Sequence, residues 1–267
     1  ILRYGNPTGS LSKYVEGELI GNIYGYTTIG IAKTDEEMQQ HLASLPNGGQ
    51  SALGSQWAAG DIMYADLNGD GKINNGSYTI NDMGDMKKIG NSTPRFMTGI
   101  NLDAAYKGWD LQMFWQGVLK RDWWPGDKNM TFWGVTDGEW WSTSFKEHLD
   151  YFRTSENPLG ENLNSYYPRP IFNTKNNKSQ TRYLQNAAYM RLKNIQVGYT
   201  FPKVWINKLM LQNLRIFVSG ENLLTITSLS DTMDPETCGA GYQSTEQANG
   251  TVYPLAKTIS FGLSVNF

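Results

Sequence analysis

The chain has 267 residues, 39% of them hydrophobic and 18% charged, with a net charge of −2. That length suits one large domain or two ordinary ones, and the charge balance supplies no basic patch for nucleic acid. No run of about 18 apolar residues occurs and the mean hydropathy is −0.48, which excludes a helical membrane span but not a membrane barrel of alternating strands.

The chain opens on Ile1, not Met, and no charged, apolar, small-residue series follows. A removed leader, or a place in the rear of a longer chain, is the expectation. Residues 1–16 are turn-rich, with Gly5, Asn6-Pro7 and Gly9. A β-rich stretch at about 17–31 follows, centred on Glu18 to Tyr26. Thr34 to Leu42 reads as a short helix, with Thr34 as N-cap and Glu37 three residues on. From Pro46 to Gly60 the Gly, Ser and Asn content reads as loop.

The sharpest local motif is Asp66-Leu67-Asn68-Gly69-Asp70-Gly71-Lys72-Ile73. Oxygen side chains at loop positions one, three and five converge on a hard cation, Gly71 allows the sharp turn, and Lys72 offers its carbonyl. Position twelve is Ser77 where a bidentate Glu belongs; Asp82 or Asp85 is the substitute, with Asp82 preferred. A structural Ca2+ ion is therefore expected on Asp66, Asn68, Asp70, the Lys72 carbonyl and Asp82. The plainer alternative is an Asn/Gly turn without metal.

Residues 95–106 and 108–119 read as a hairpin turning at Lys107-Gly108. Phe96, Thr98, Ile100, Leu102, Ala104 and Tyr106 share one face; Met97, Gly99, Asn101 and Asp103 share the other. On the return strand Trp109, Leu111, Met113, Trp115 and Leu119 oppose Asp110, Gln112, Phe114 and Gln116. Asp103, Asp110 and Gln112 are costly in a dry core and cheap in a wet lumen.

Residues 120–187 form a long connection rich in aromatics, which make up 13% of the chain. Trp123, Trp124, Trp133, Trp140 and Trp141 are candidates for stacking on sugar rings or docking a lid; the alternative is that they pack the loops together. A strand at 188–201 sets Ile195, Val197, Tyr199 and Phe201 against Gln196, Gly198 and Thr200. Arg191 and Lys193 fall in the apolar phase, which places them above a lipid band or beyond a bulge near Asn194. Residues 202–211 form a connector with one helical turn. A strand at 213–224 alternates Leu214, Ile216 and Val218 with Arg215, Phe217, Ser219 and Glu221. The polar segment 225–255 holds Asp234-Pro235-Glu236 and the single Cys238, which cannot form a disulfide within the chain.

The strand at 256–267 places Ile259, Phe261, Leu263, Val265 and Phe267 on one face and Thr258, Ser260, Gly262, Ser264 and Asn266 on the other. An apolar face opposite small uncharged groups fits a wall between lipid and a wet lumen. With Phe267 periplasmic, the connectors at Lys107-Gly108 and 202–211 fall on the same side. The long segments, roughly 31–94, 120–187 and 225–255, then all fall outside.

Several stretches together resemble the carboxy-terminal part of SusC/RagA-type TonB-dependent outer-membrane transporters. They are Gly60-Asp61-Ile62 with the Asp66–Ile73 loop, Ile89 to Arg95, Tyr106 to Leu111, Phe114 to Gly117, Tyr183 to Asn194, Gly198 to Pro202, and Val218 to Leu223. The resemblance implies an all-β fold: an antiparallel transmembrane β-barrel of about 22 strands with long extracellular loops. Residues 1–267 would supply its C-terminal strands, with the plug domain not among them. It further implies import of a nutrient oligomer, a glycan before a peptide, across the cell outer membrane. A SusD-like surface lipoprotein would be the lid, and TonB would act through the plug. No enzymatic role is implied.

Two other classes compete. A secreted calcium-stabilised carbohydrate-binding β-sandwich needs evenly short strands, which the long 120–187 connection opposes. A glycoside hydrolase needs two carboxylates at a set separation. Asp137, Glu139, Glu147 and Asp150 are available, but the sequence fixes no pair. His41 and His148 have no recognisable metal or nucleophile partner and read as surface residues.

Overall fold

The computed structural model describes residues 1–138, 143–238 and 253–267. The fold is mostly β and antiparallel. Its elements in order are β1 (Asn22–Tyr26), β2 (Thr28–Ile31), α1 (Asp35–Ala43), β3 (Ile62–Tyr64), β4 (Met86–Asn91), β5 (Arg95–Tyr106) and β6 (Trp109–Lys120). The two-residue β7 (Asp122–Trp123), α2 (Met130–Trp133), the two-residue β8 (Gln185–Asn186), β9 (Tyr189–Thr200), α3 (Lys203–Ile206), β10 (Asn213–Thr227) and β11 (Thr258–Asn266) follow. The chain divides into two compact units: Ile1–Thr93 with Asp122–Gln185 and Ser230–Val252, and Pro94–Arg121 with Asn186–Leu229 and Tyr253–Phe267.

In the first unit the β-rich stretch of the sequence breaks into two short strands. β1 pairs with β4, and β2 with β3. Gly25 explains part of the break. A Cβ there would stand 2.6 Å from the Ser179 carbonyl oxygen, where the Tyr26 amide makes a 2.8 Å bond to the same oxygen. The backbones approach too closely for a side chain. α1 starts as its sequence predicts: the Thr34 hydroxyl accepts the Glu37 amide at 3.2 Å, and the Glu37 carboxylate takes the Lys33 amide at 2.6 Å.

The long connections of this unit are not open loops. Trp133, Phe132, Tyr183 and Tyr64 are among its most buried side chains. Phe132 and Trp133 meet edge to face at 4.8 Å, as do Trp133 and Tyr183. Such pairs add about 0.5–1.5 kcal/mol each to the burial of the rings. Irregularly spaced aromatics thus build a core that no helical or strand period announces.

The second unit is one five-stranded antiparallel sheet, ordered β11-β10-β9-β6-β5. Lys107 and Gly108, with φ of 47° and 90°, form the two-residue turn between β5 and β6, since that tight hairpin turn takes positive φ at both positions. The ladder of β9 shifts register against both neighbours near Asn194. Of the two placements left open by the sequence, this is the bulge. It sets Leu192 beside Trp115 and Leu224, and Arg191 beside Gln116 and Thr225. Among the described residues β5 and β11 are edge strands, and the sheet does not close on itself.

Candidate functional site

Register sorts the second unit's side chains into rows that cross the sheet. One face carries Leu102–Met113–Ile195–Gly220–Ile259, then Ala104–Leu111–Val197–Val218–Phe261, then Tyr106–Trp109–Tyr199–Ile216–Leu263. These rows are uncovered: Leu102 is 51% exposed, Trp109 57% and Phe261 82%. An apolar face of this extent is far larger than scattered surface hydrophobics and marks a surface that meets something other than water.

The opposite face is polar. Its rows run Asp103–Gln112–Gln196–Ser219–Ser260 and Asn101–Phe114–Asn194–Glu221–Thr258. Arg191 donates from Nε to the Thr225 hydroxyl at 2.8 Å. Arg215 on β10 reaches across β9 to Asp110 on β6, through Nη2–Oδ1 at 2.5 Å and Nε–Oδ2 at 3.1 Å. This fork lies directly over Gly198, where a Cβ would collide with both side chains. Phe217 lies over Gly262 in the same way, with the Arg215 guanidinium 5.0 Å from the ring centre. Two strand glycines are therefore clearance for larger neighbours. Alternation alone places Asp110 and Arg215 on polar faces but not together, because their pairing needs the register of three strands.

In the first unit the 66–73 loop is a tight turn held by its own side chains. Asp66 accepts the amides of Gly69 at 2.7 Å and Gly71 at 2.8 Å, and Asp70 accepts that of Lys72 at 3.1 Å. Burial raises the Asp66 carboxyl, but the amide bonds together outweigh it and hold the group below the usual range. Asp82 serves its own turn instead, taking the Ser77 amide at 2.8 Å and hydroxyl at 2.6 Å. Asp85 bridges the loop from behind, accepting the Leu67 amide at 2.9 Å and the Asn74 amide at 2.8 Å. Burial, and the nearby Asp66 charge, push its carboxyl up. Among the described residues no cluster of three acidic, thiol or imidazole groups converges, so a cation here would depend on Asn68 and the Lys72 carbonyl.

Trp133 is 0% and Trp123 3% exposed, so both rings are used by the aromatic core. Trp124 meets Trp133 at 6.1 Å. Trp140 and Trp141, with Glu139, lie outside the described residues. Asp137 is buried and accepts the Asn129 amide at 2.7 Å. Glu147 binds the Ser230 hydroxyl at 2.7 Å, and Asp150 the Asn162 side chain at 2.8 Å. Each of these three carboxylates thus has a structural partner.

The histidines are not the surface residues their sequence suggests. His148 is fully enclosed: Nδ1 accepts the Phe145 amide at 2.9 Å, which leaves Nε2–H to donate to the Phe132 carbonyl at 3.1 Å. Burial pushes its pKa down. Half-buried His41 sits 3.1 Å from Gln50, and burial lowers its pKa too.

A second missed feature is Asp61, fully buried behind Gly60. It accepts Arg169 Nε at 2.8 Å and Nη2 at 2.9 Å, Lys175 Nζ at 2.8 Å, Asn176 Nδ2 at 2.9 Å and the Ala58 amide at 2.9 Å. Burial raises its carboxyl, but the Arg169, Lys175 and Asn176 bonds outweigh it and hold the group below the usual range. The only sequence signal was an Asp set between Gly60 and the apolar run Ile62-Met63-Tyr64.

No protein-family model matches the chain. It is 30% identical over 260 residues to TonB-dependent receptor P3 of Formosa agariphila, a match covering 94% of the chain and 22% of that receptor. TonB-dependent receptor P39 of the same organism is 24% identical over 283 residues, covering 94% of the chain and 25% of the receptor. Among solved structures, the RagAB peptide transporter aligns at a TM-score of 0.58 with 17% identity, over 92% of the chain and 23% of the solved chain. The RagAB peptide importer in its closed-closed state aligns at 0.54, over 100% of the chain and 25% of its counterpart. The chain thus spans 22% and 25% of the length of the two curated relatives. Sequence relatives and fold neighbours together bear out the resemblance to TonB-dependent receptors of the SusC/RagA type.

Proposed function

We propose that this segment of a SusC/RagA-type TonB-dependent receptor supplies part of the barrel wall and the outer loops of an outer-membrane importer. The observation that carries the reading is the set of uncovered apolar rows opposite a polar face on one open-edged sheet. Lipid meets the first face and a wet lumen the second, while β5 and β11 continue the wall through neighbouring strands. The cargo is a nutrient oligomer, glycan or peptide; the RagAB neighbours are a peptide transporter and a peptide importer. The first unit forms the extracellular loops on which a SusD-like lipoprotein rests, and TonB acts through a plug elsewhere in the receptor. The segment does no covalent chemistry of its own. Two neighbouring residues of β11 test the wall. Phe261→Arg in the whole receptor puts a charge on the lipid side and costs about 2–4 kcal/mol, whereas Ser260→Arg faces the lumen and escapes that cost. Heat-modifiable mobility of the receptor in outer-membrane extracts reads the difference. Equal assembly of both variants would remove the membrane reading.

The Asp66–Ile73 loop supports a second assignment, a structural Ca2+ site. What favours it is that Asp66 and Asp85 are held on one loop, Asp66 by the Gly69 and Gly71 amides and Asp85 by the Leu67 and Asn74 amides at its two ends. Asp66, Asn68, Asp70 and the Lys72 carbonyl would hold the ion, with Asp85 supplying the carboxylate first expected of Asp82. The ion would stiffen the loop. Excess Ca2+ at about 100 times its Kd stabilises a binder by roughly 2.7 kcal/mol. A receptor whose local hydrogen exchange at 64–86 is unchanged by Ca2+ or chelator, in wild type and in Asp66→Asn alike, has no such site.

A further inference from the structure

We propose that the connector between β9 and β10 is a membrane-interface foot that binds anionic phospholipid. Val204, Trp205 and Met210 lie at the boundary of acyl chains and headgroups, and Lys107, Lys203 and Lys208 engage headgroup phosphates. The inference rests on the wall reading above and adds a lipid class and named residues.

The connector is longer than its strands require. Lys107-Gly108 shows that two residues suffice to join antiparallel neighbours in this sheet, yet residues 201–212 separate β9 from β10. They are folded. Pro202 leads into α3, a 3-10 turn covers Asn207–Leu209, and Met210 takes the left-handed conformation at φ 57°. Ile206 is 2% exposed and anchors the connector, and the Leu211 amide returns to its carbonyl at 3.3 Å. On this fixed support Val204 is 78%, Trp205 60% and Met210 88% exposed. Among its described side chains this folded element buries Ile206 and displays Val204, Trp205 and Met210, an arrangement built to meet an apolar medium.

The indole continues the apolar side of the sheet. Trp109 and Tyr199 meet at 4.9 Å, Tyr199 and Phe201 at 5.1 Å, and Phe201 and Trp205 at 6.4 Å. Amphipathic rings gathered at one end of a lipid-facing wall are the pattern of a membrane–water boundary. The charges agree. Residues 201–213 hold Lys203 and Lys208 and no acidic residue, and 104–109 hold Lys107 and none. The next acid along the chain, Asp110, is taken by Arg215. Lys107 Nζ sits 5.1 Å from the Tyr106 ring centre, its stem along the aromatic row and its ammonium at the edge. Three exposed ammonium groups beside an interfacial apolar patch select phosphate-bearing anionic headgroups over zwitterionic ones.

The test uses the whole receptor, free of other cysteines, in nanodiscs of phosphatidylcholine with or without phosphatidylglycerol. Nitroxides at Val204→Cys and Phe261→Cys are read by collision with oxygen and with a water-soluble nickel chelate. The Phe261 label should be oxygen-rich in both lipids. The Val204 label should sit at intermediate depth and move deeper with phosphatidylglycerol. Lys107→Gln/Lys203→Gln/Lys208→Gln should abolish that shift and lower co-purified phosphatidylglycerol by about twofold or more. A Val204 label open to nickel in both lipids, beside an oxygen-rich Phe261 label, overturns the foot and leaves the wall; a protein partner of the connector would give that result. Intermediate depth with no response to phosphatidylglycerol or to the lysine variant overturns the phosphate assignment. Nickel access at both positions defeats the wall and the foot together.

Discussion

The two units bury their apolar surface in opposite directions. The first turns its Trp, Tyr and Phe rings inward, around Trp133 and Tyr183, and even encloses a carboxylate, an ammonium and an imidazole at Asp61, Lys175 and His148. The second turns Ile216, Val218, Ile259, Phe261 and Leu263 outward and keeps Arg215 and Asp110 on the other face. Composition does not separate the two, because both are rich in aromatics and short of charge. What differs is spacing. A period of two over twelve residues makes a sheet with two unlike faces, and such a sheet needs an outside medium to match each. Irregular spacing makes side chains converge from several connections, and they must then satisfy every buried polar group among themselves.

The contrast is broken most sharply at Asp61. Asp61→Ala leaves Lys175, 3% exposed, as an uncompensated buried cation, and should cost the first unit about 3–5 kcal/mol. Hydrogen exchange of peptides from 54–64 and 169–183 should rise by orders of magnitude, while β9–β11 keep their protection. Loss of protection in both units together would mean that they unfold as one. A smaller effect is expected at Gly198. Gly198→Val drives two methyls into the Arg215–Asp110 fork and should cost about 1–3 kcal/mol, read as faster exchange in β6, β9 and β10 only.

The smallest effect is a pH dependence confined to the first unit. The folded pKa of His148 lies below its unfolded value near 6.5, so the unfolded state takes up a proton first as pH falls. Stability is therefore unaffected above that value and declines between it and the lower folded pKa. The acceptor role of Nδ1 toward Phe145 is what protonation removes. His148→Asn keeps an acceptor there and should flatten the decline that begins below about pH 6.5, leaving the contribution of His41, whose burial acts in the same direction. Melting of the first unit that is as pH-sensitive in His148→Asn as in wild type would refute the assignment.

Much of the second unit was legible before any coordinates. The Lys107-Gly108 turn, the strand at 188–201 and the dyad faces of 256–267 all follow from alternation and from one Gly with positive φ. The bulge was legible as one of two placements, because Arg191 and Lys193 are charges in the apolar phase, and the ladder decides between them. The 17–31 stretch reads as a strand of the same kind, but its residues pair with β3 and β4 inside the first unit. Propensity names a strand without naming its partner. The acidic loop was legible as a turn, whereas only the fold shows that Asp82 takes the Ser77 amide and hydroxyl while Asp85 takes the Leu67 amide next to Asp66.

Local order along the chain, then, specified which residues form strands, where they turn and which side of each is oily, because a strand's side chains alternate whatever surrounds them. It left open how Asp61 finds Arg169 and Lys175, how Arg215 reaches Asp110 over Gly198, and why His148 is enclosed. Those contacts reach up to 114 positions along the chain, separations no period encodes, such as the 105 between Arg215 and Asp110. They exist only once backbones from separate segments have come close enough to exclude water and leave each polar group its protein partner.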